Sequence, residues 1–155
     1  MIVTSNSVTH NFTIPSLQTV GQVDSNYDVI EQVTVQIHSS ISYDHTYTKK
    51  VYEDPGSEGV KTTVTETKVA EKTSQIFVNL DTSNISSFSN FDDLEEDTVV
   101  QWALDADPVQ KQKHMDANEA IVLEEKDKVL NPLKYKKNSP VTPWRRRADQ
   151  ALIVE

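Results

Sequence analysis

Apolar and polar positions alternate between residues 8 and 14: Val8, His10, Phe12 and Ile14 share one parity, Thr9, Asn11 and Thr13 the other. A period of two is the mark of a strand, and Pro15 is expected to end it, because proline has no N–H to give a ladder. Residues 16–26 are polar and hold Gly21, so they read as a connection with short strand character around residues 17–23. The strongest alternation covers residues 28–42, where Val29, Val33, Val35, Ile37 and Ile41 oppose Gln32, Thr34, Gln36, His38 and Ser40. Tyr43, Asp44, His45 and Thr46 read as a turn, with the chain returning along residues 47–52. Residues 53–59 are the most turn-rich stretch and contain two of the three glycines. Residues 60–69 alternate weakly and read as an exposed edge strand, and residues 75–80 as a shorter, better buried one.

The pattern changes at residues 88–104. Phe88, Phe91, Leu94, Val99 and Trp102 supply the bulk that closes a thin sheet core, and this stretch is the hinge between a β-rich body and a helical portion. Asp92 or Asp93 is expected to cap a short helix with Glu95 and Glu96 in its first turn. A second helix starts at Asp107 as cap with Pro108 in its first position, and ends at Asn131 and Pro132. Its apolar stripe is read as Val109, Ala120, Leu123 and Leu130. The expected fold is α+β: a small antiparallel β-sheet or sandwich body, two C-terminal helices and an extended C-terminal arm. The expected boundaries are a β-rich body over 1–87, a helical segment packed on it over 88–131, and a partner-binding arm over 132–155.

Charge sharpens this division. Residues 131–155 hold six Lys/Arg against Asp149 and Glu155, a net +4, which leaves −13 for the first 130 residues of a chain whose total is −9. An acidic body with a basic tail suits head-to-tail pairing and argues against free nucleic acid as a partner. The chain of 155 residues has no cysteine, hence neither disulfide framework nor thiolate metal site. No apolar run reaches the length of a membrane span. The first twelve residues lack the basic start and apolar core of a signal peptide, so use without Sec-type export is expected.

Candidate chemistry is sparse. His10, His38, His45 and His114 share no metal-ligand spacing on one element, and His10 reads as a half-buried strand residue. The acidic run Asp92, Asp93, Glu95, Glu96 and Asp97 lacks the glycine of a calcium loop and reads as carboxylates at a helix N-terminus. There is no glycine-rich phosphate loop or nucleophile elbow. The reading is therefore no catalytic residues, no metal and no cofactor. Tyr27, Tyr43, Tyr47 and Tyr52 could line a glycan-binding surface. In the arm, Pro143, Trp144, Arg145, Arg146 and Arg147 form an aromatic anchor flanked by cations, the residue types that dominate protein interfaces. Leu152, Ile153 and Val154 could add a strand to a neighbour's sheet edge.

The order of these features resembles a family of small, functionally uncharacterised proteins of tailed bacteriophages. The matching positions are Leu80 and Asp81 ending a strand, then Phe88, Phe91 and Leu94, then Val99 and Trp102 on an acidic helix. Asn131, Pro132, Pro140, Pro143 and Trp144 complete it in a Pro-Trp ending. Two departures stand out: Glu95 replaces the usual Thr, and the chain continues past Trp144. The resemblance implies a phage source; joined to the arm, it makes the leading expectation a non-enzymatic virion structural or accessory protein, multicopy and attached to capsid or tail subunits, with copies of itself as further partners. No nucleic-acid or membrane partner is expected, and the expected place is the virion. A host-surface glycan-recognition module, or a non-virion phage factor binding a host protein, is the alternative.

Overall fold

β-Branched and polar alternation produces one antiparallel sheet, β1 (Ile2–Ser5), β2 (Val8–Val23), β3 (Asn26–Val51) and β4 (Val60–Asn79), in the order β1-β2-β3-β4. The computed structural model of the chain describes residues 1–23, 26–52, 55–56, 58–81, 91–135 and 144. After the sheet come a 3-10 turn at Phe91–Asp93, helices α1 (Glu96–Ala106) and α2 (Pro108–Leu130), and a second 3-10 turn at Pro132–Tyr135. The fold is α+β, a four-stranded antiparallel sheet followed by two helices, and its described strands form a single sheet rather than a sandwich.

The strands differ greatly in length, which shapes the molecule. Among the described residues, only 32–40 of β3 have neighbours on both sides. Beyond Ile41, β3 and β4 continue as a two-stranded ribbon to the pair of Val51 with Val60, a reach of about 33 Å at 3.3 Å per residue. Tyr43, Asp44, His45 and Thr46, expected as a turn, lie inside this ribbon opposite Lys68, Thr67, Glu66 and Thr65. Cross-strand chemistry accounts for the correction: the Thr67 hydroxyl donates to Asp44 at 3.0 Å, and Thr46 and Thr65 share a bond of 2.8 Å. The real turn is the glycine-rich stretch beyond Tyr52. Gly56 and Gly59 there have φ of 88° and 79°, and a Cβ on Gly59 would meet the Tyr52 ring at 2.9 Å.

Pro15 does not end its strand. β2 runs on to Val23, with a register shift between Thr13 and Ser16 that places the proline in a bulge, where its missing N–H costs no ladder bond. The Ile14 N–H at this irregularity donates instead to Glu96 of α1, at 3.3 Å. β1, which the alternation did not suggest, is turned onto β2 through Asn6 and Ser7, both at positive φ (51° and 65°), the geometry of a tight hairpin.

Both helices cover one face of the sheet. That face carries Val33, Val35 and Ile37 from β3, Phe12 from β2, and Ile76 and Val78 from β4. These join Val99, Val100, Ala103 and Leu104 of α1 and Met115 of α2 in the main core. A smaller cluster of Val8, Ile41, Ala70 and Val122 lies towards the ribbon. The opposite face is mostly polar, as antiparallel sheets allow. α1 starts later than its acidic residues suggested: Asp92 and Asp93 fall in the 3-10 turn, and Glu95 occupies the cap position without a side-chain cap bond. Leu94 turns back through its N–H to Phe91, and both side chains pack against the core. α2 begins as its sequence indicated, with Asp107 accepting from the Gln110 N–H at 3.2 Å, and ends at Asn131. Its buried face differs from the expected stripe. Val109 is 74% exposed and Leu123 and Leu130 are exposed too, while Met115, Asn118, Glu119 and Val122 face the sheet. Ala120 is likewise exposed.

Candidate functional site

Two of the four residues that α2 buries are polar, and a buried polar group must find a partner. Asn118 uses its amide to donate to Ser39 at 3.1 Å and to Ser74 at 3.0 Å. Ser39 lies 2.7 Å from His10 Nδ1, and His10 Nε2 lies 2.9 Å from Glu119 Oε1. Asn6, aimed by the tight β1–β2 turn, donates to Glu119 Oε2 at 3.0 Å. His114 extends the chain to Ser74 at 3.2 Å. The directions are consistent throughout. With Glu119 ionised, Nε2 of His10 donates to it; the Ser39 hydroxyl accepts from Asn118 and donates to Nδ1.

Serine, histidine and carboxylate in a row are the parts of a nucleophilic relay. Here, however, Ser39 and His10 are 0% exposed, and the hydroxyl is already engaged by Asn118 and His10. A substrate has no approach to the Ser39 oxygen. The relay instead stitches α2 to β2, β3 and β4. His10, expected to be half-buried, is fully buried because Glu119 and Ser39 satisfy both ring nitrogens. Nothing in the local sequence around Asn118 and Glu119 pairs them with residues some 79 and 109 positions away. The available signal was a helical Asn-Glu pair at the spacing of Met115 and Val122.

Burial alone would raise the Glu119 carboxyl, but hydrogen bonds from His10, Asn6 and Ser5 outweigh it and hold the group below its ordinary value of 4.5. The unfolded chain therefore binds this proton more tightly than the folded one. The stabilising contribution is full above about pH 4.5 and drains away as the pH falls through the lower folded value. Denaturant unfolding between about pH 3 and 7 is expected to give a shallower acid limb for Glu119→Gln than for the native chain. Parallel limbs would mean that the relay does not hold this carboxylate ionised.

At the other end of α2, Asp127 accepts from the Tyr135 hydroxyl, from Lys134 at 2.9 Å and from Asn131 at 2.6 Å. These bonds, Tyr135's foremost, hold the Asp127 carboxyl well below the usual carboxylate range. They fold residues 132–135 back onto the end of the helix.

Two clefts among the described residues bear on function. One, of about 440 Å³, lies between the ribbon and the end of α2 and is lined by Ser42, Tyr43, Asp44, Thr67, Lys126 and Leu130. Of the expected tyrosine surface, Tyr43 lines this cleft, Tyr47 stacks on His45 with ring centroids 5.2 Å apart, Tyr52 packs by Gly59 in the turn, and the Tyr27 side chain lies outside the described residues. The other cleft, of about 280 Å³, lies where α1 meets the β2–β3 end of the sheet. Its wall is apolar: Ile14, Leu17, Ile30, Phe91, Leu94 and Val99. Glu95 and Glu96 stand exposed at its edge.

Among the proposed hinge residues, Val99 is buried, Phe91, Leu94 and Trp102 pack against the main core, and Phe88 lies outside the described residues. Of the arm, Pro143, Arg145, Arg146, Arg147, Leu152, Ile153 and Val154 also lie outside them. Trp144 is described and is 68% exposed. Members of the acidic run bind different partners: Glu96 accepts from Ile14, and Asp97 binds the Met1 ammonium at 2.9 Å. Among the described residues, no three His, Asp or Glu side chains converge as a metal site, and no helix is long and apolar enough to cross a membrane.

Fold and site together define a β-meander with a helical cover, internally stitched by a sealed polar relay. The chain belongs to the family described as a domain of unknown function, DUF7936, whose model matches residues 7–144. That span takes in His10, Ser39, Asn118 and Glu119 of the relay as well as Trp144. No curated protein and no solved structure matches the chain.

Proposed function

We propose that this protein is a non-enzymatic structural or accessory component of a tailed-bacteriophage particle, present in many copies and attached to a capsid or tail subunit through its C-terminal arm. The observation that carries this reading is Trp144, a large aromatic left 68% exposed beside three arginines on the segment that follows the α2 lock. An exposed tryptophan with cationic neighbours has the composition of an interface hot spot. Two further features support the reading. The hydroxyl, imidazole and carboxylate that could have served catalysis are engaged in holding α2 to the sheet. The charge asymmetry also favours protein contacts over nucleic acid, since the body bears a net −13 and only the short tail is net positive.

Mass spectrometry of purified particles is expected to detect the protein at many copies per particle. A chain truncated after Tyr135, which keeps the Asp127 lock, is expected to fold as the full chain does and to be lost from particles. Absence of the native chain from particles would overturn the virion assignment; normal incorporation of the truncated chain would overturn the arm as the attachment device.

A further inference from the structure

The apolar cleft at the head of α1 and the exposed tryptophan of the arm are complementary in shape class and in charge. The cleft holds about 280 Å³ behind a wall of aliphatic and aromatic side chains, with Glu95 and Glu96 at its mouth and Asp92 and Asp93 exposed on the turn just before them. Trp144 is followed immediately by Arg145, Arg146 and Arg147. An aromatic ring entering the cleft would bring that run of cations to the acidic mouth.

The chain's own ring does not occupy the cleft. Tyr135 is anchored by Asp127 near the end of α2. Trp144 is 68% exposed in the single chain rather than seated.

We infer that the cleft formed by Ile14, Leu17, Ile30, Phe91, Leu94 and Val99 receives Trp144 of a second copy of this chain, with the three arginines of that copy meeting Glu95 and its acidic neighbours. This deepens the proposed function by naming a partner for the arm, and it rests on that reading of the arm as an attachment device. The contact is heterologous: the donor surface and the acceptor surface differ, so each copy can give and receive at once. Such a contact propagates into a closed ring or an open filament rather than stopping at a two-fold dimer.

Complementation of two defective full-length chains tests the geometry. Trp144→Ala removes the donor and leaves the cleft intact; Glu95→Arg reverses the charge at the mouth and leaves the arm intact. Both positions are exposed, and circular dichroism and thermal unfolding check that each variant folds. In sedimentation velocity at low salt, the native chain is expected to form concentration-dependent oligomers that dissociate as salt is raised. Each variant alone is expected to associate at least about 30-fold more weakly, the loss of one interface hot spot. The two variants mixed are expected to form a one-to-one dimer that grows no further, because only one functional donor and one functional acceptor remain.

A native chain that stays monomeric at all concentrations would overturn the inference, as would a Trp144→Ala chain that oligomerises like the native one or a mixture that stays monomeric. Particle incorporation is read separately. Loss of Trp144→Ala from particles without any self-association would leave the arm gripping a different subunit, so the proposed function would stand while this inference fell. Self-association of a chain absent from particles would do the reverse.

Discussion

Replacing Glu119 by alanine is expected to lower the unfolding free energy by about 2–3 kcal/mol, the cost of leaving a buried donor without its charged acceptor. Against a total of roughly 5–15 kcal/mol for a domain, that is a large fraction of the stability. The reason lies in what remains behind. His10 is completely buried, and without Glu119 its Nε2 loses the acceptor 2.9 Å away, while Asn6 loses its own acceptor in the same cut. A buried donor without a partner costs its desolvation in full, whereas an apolar pair of similar shape can be nearly neutral. The double change His10→Phe with Glu119→Leu is therefore expected to be less destabilising than Glu119→Ala alone. A double-mutant cycle by denaturant unfolding measures this directly. A Glu119→Ala cost below about 1 kcal/mol would show that the relay does not fasten α2 to the sheet.

Phe12→Ala is expected to cost about 3–5 kcal/mol, and Phe77→Ala less than about 0.5 kcal/mol, although both are phenylalanines in strands of one sheet. Phe12 is fully buried opposite Ile37, on the face that receives Val100 and Leu104 from α1. Its backbone is held independently, its N–H donating to the Met1 carbonyl at 2.8 Å and its carbonyl accepting from the Met1 ammonium at 3.2 Å. The loss on truncation is thus mainly that of the ring and the cavity it leaves. Phe77 sits on the opposite face, paired with Thr34, and remains 67% exposed. Thermal or denaturant unfolding of the two variants side by side reads the difference. Equal costs would place the helices on the wrong side of the sheet.

The legible and illegible parts of this fold divide by how local the governing physics is. Val33, Val35 and Ile37 against Thr34, Gln36 and His38 announce a half-buried strand, because strand parity depends only on neighbours two residues away. Asp107 with Pro108 announces the start of α2 for the same reason, since cap and first turn lie within a few residues. The ribbon was less legible. Residues 43–46 are of turn-forming types, but their preference is weak beside cross-strand partners such as Thr67 and Thr65, which are 23 and 19 residues away from Asp44 and Thr46. Pro15 likewise looks terminal when only its missing N–H is considered, and a bulge accommodates it once β3 is laid alongside.

Helix α2 is the sharpest case. Counting apolar residues selects Val109, Ala120, Leu123 and Leu130, yet these stay in solvent. The face that packs carries Asn118 and Glu119, whose burial is unfavourable in isolation and becomes tolerable only where Ser39, Ser74, His10 and Asn6 wait beneath. No window of sequence contains both halves of that arrangement.

By itself, then, the sequence determined a β-rich part followed by two helices, the start and stop of α2, the absence of cysteine chemistry and the split between an acidic body and a basic tail. Each of these follows from residues within a turn or two of one another, or from a simple count of charges. The tertiary structure alone decided which side of α2 faces inward, that His10, Ser39 and Glu119 meet, and that an apolar cleft with an acidic mouth opens at the head of α1. Those features depend on groups far apart in the chain, and burial is what brings them together, because a polar group taken out of water is stable only where its partner has been taken out with it.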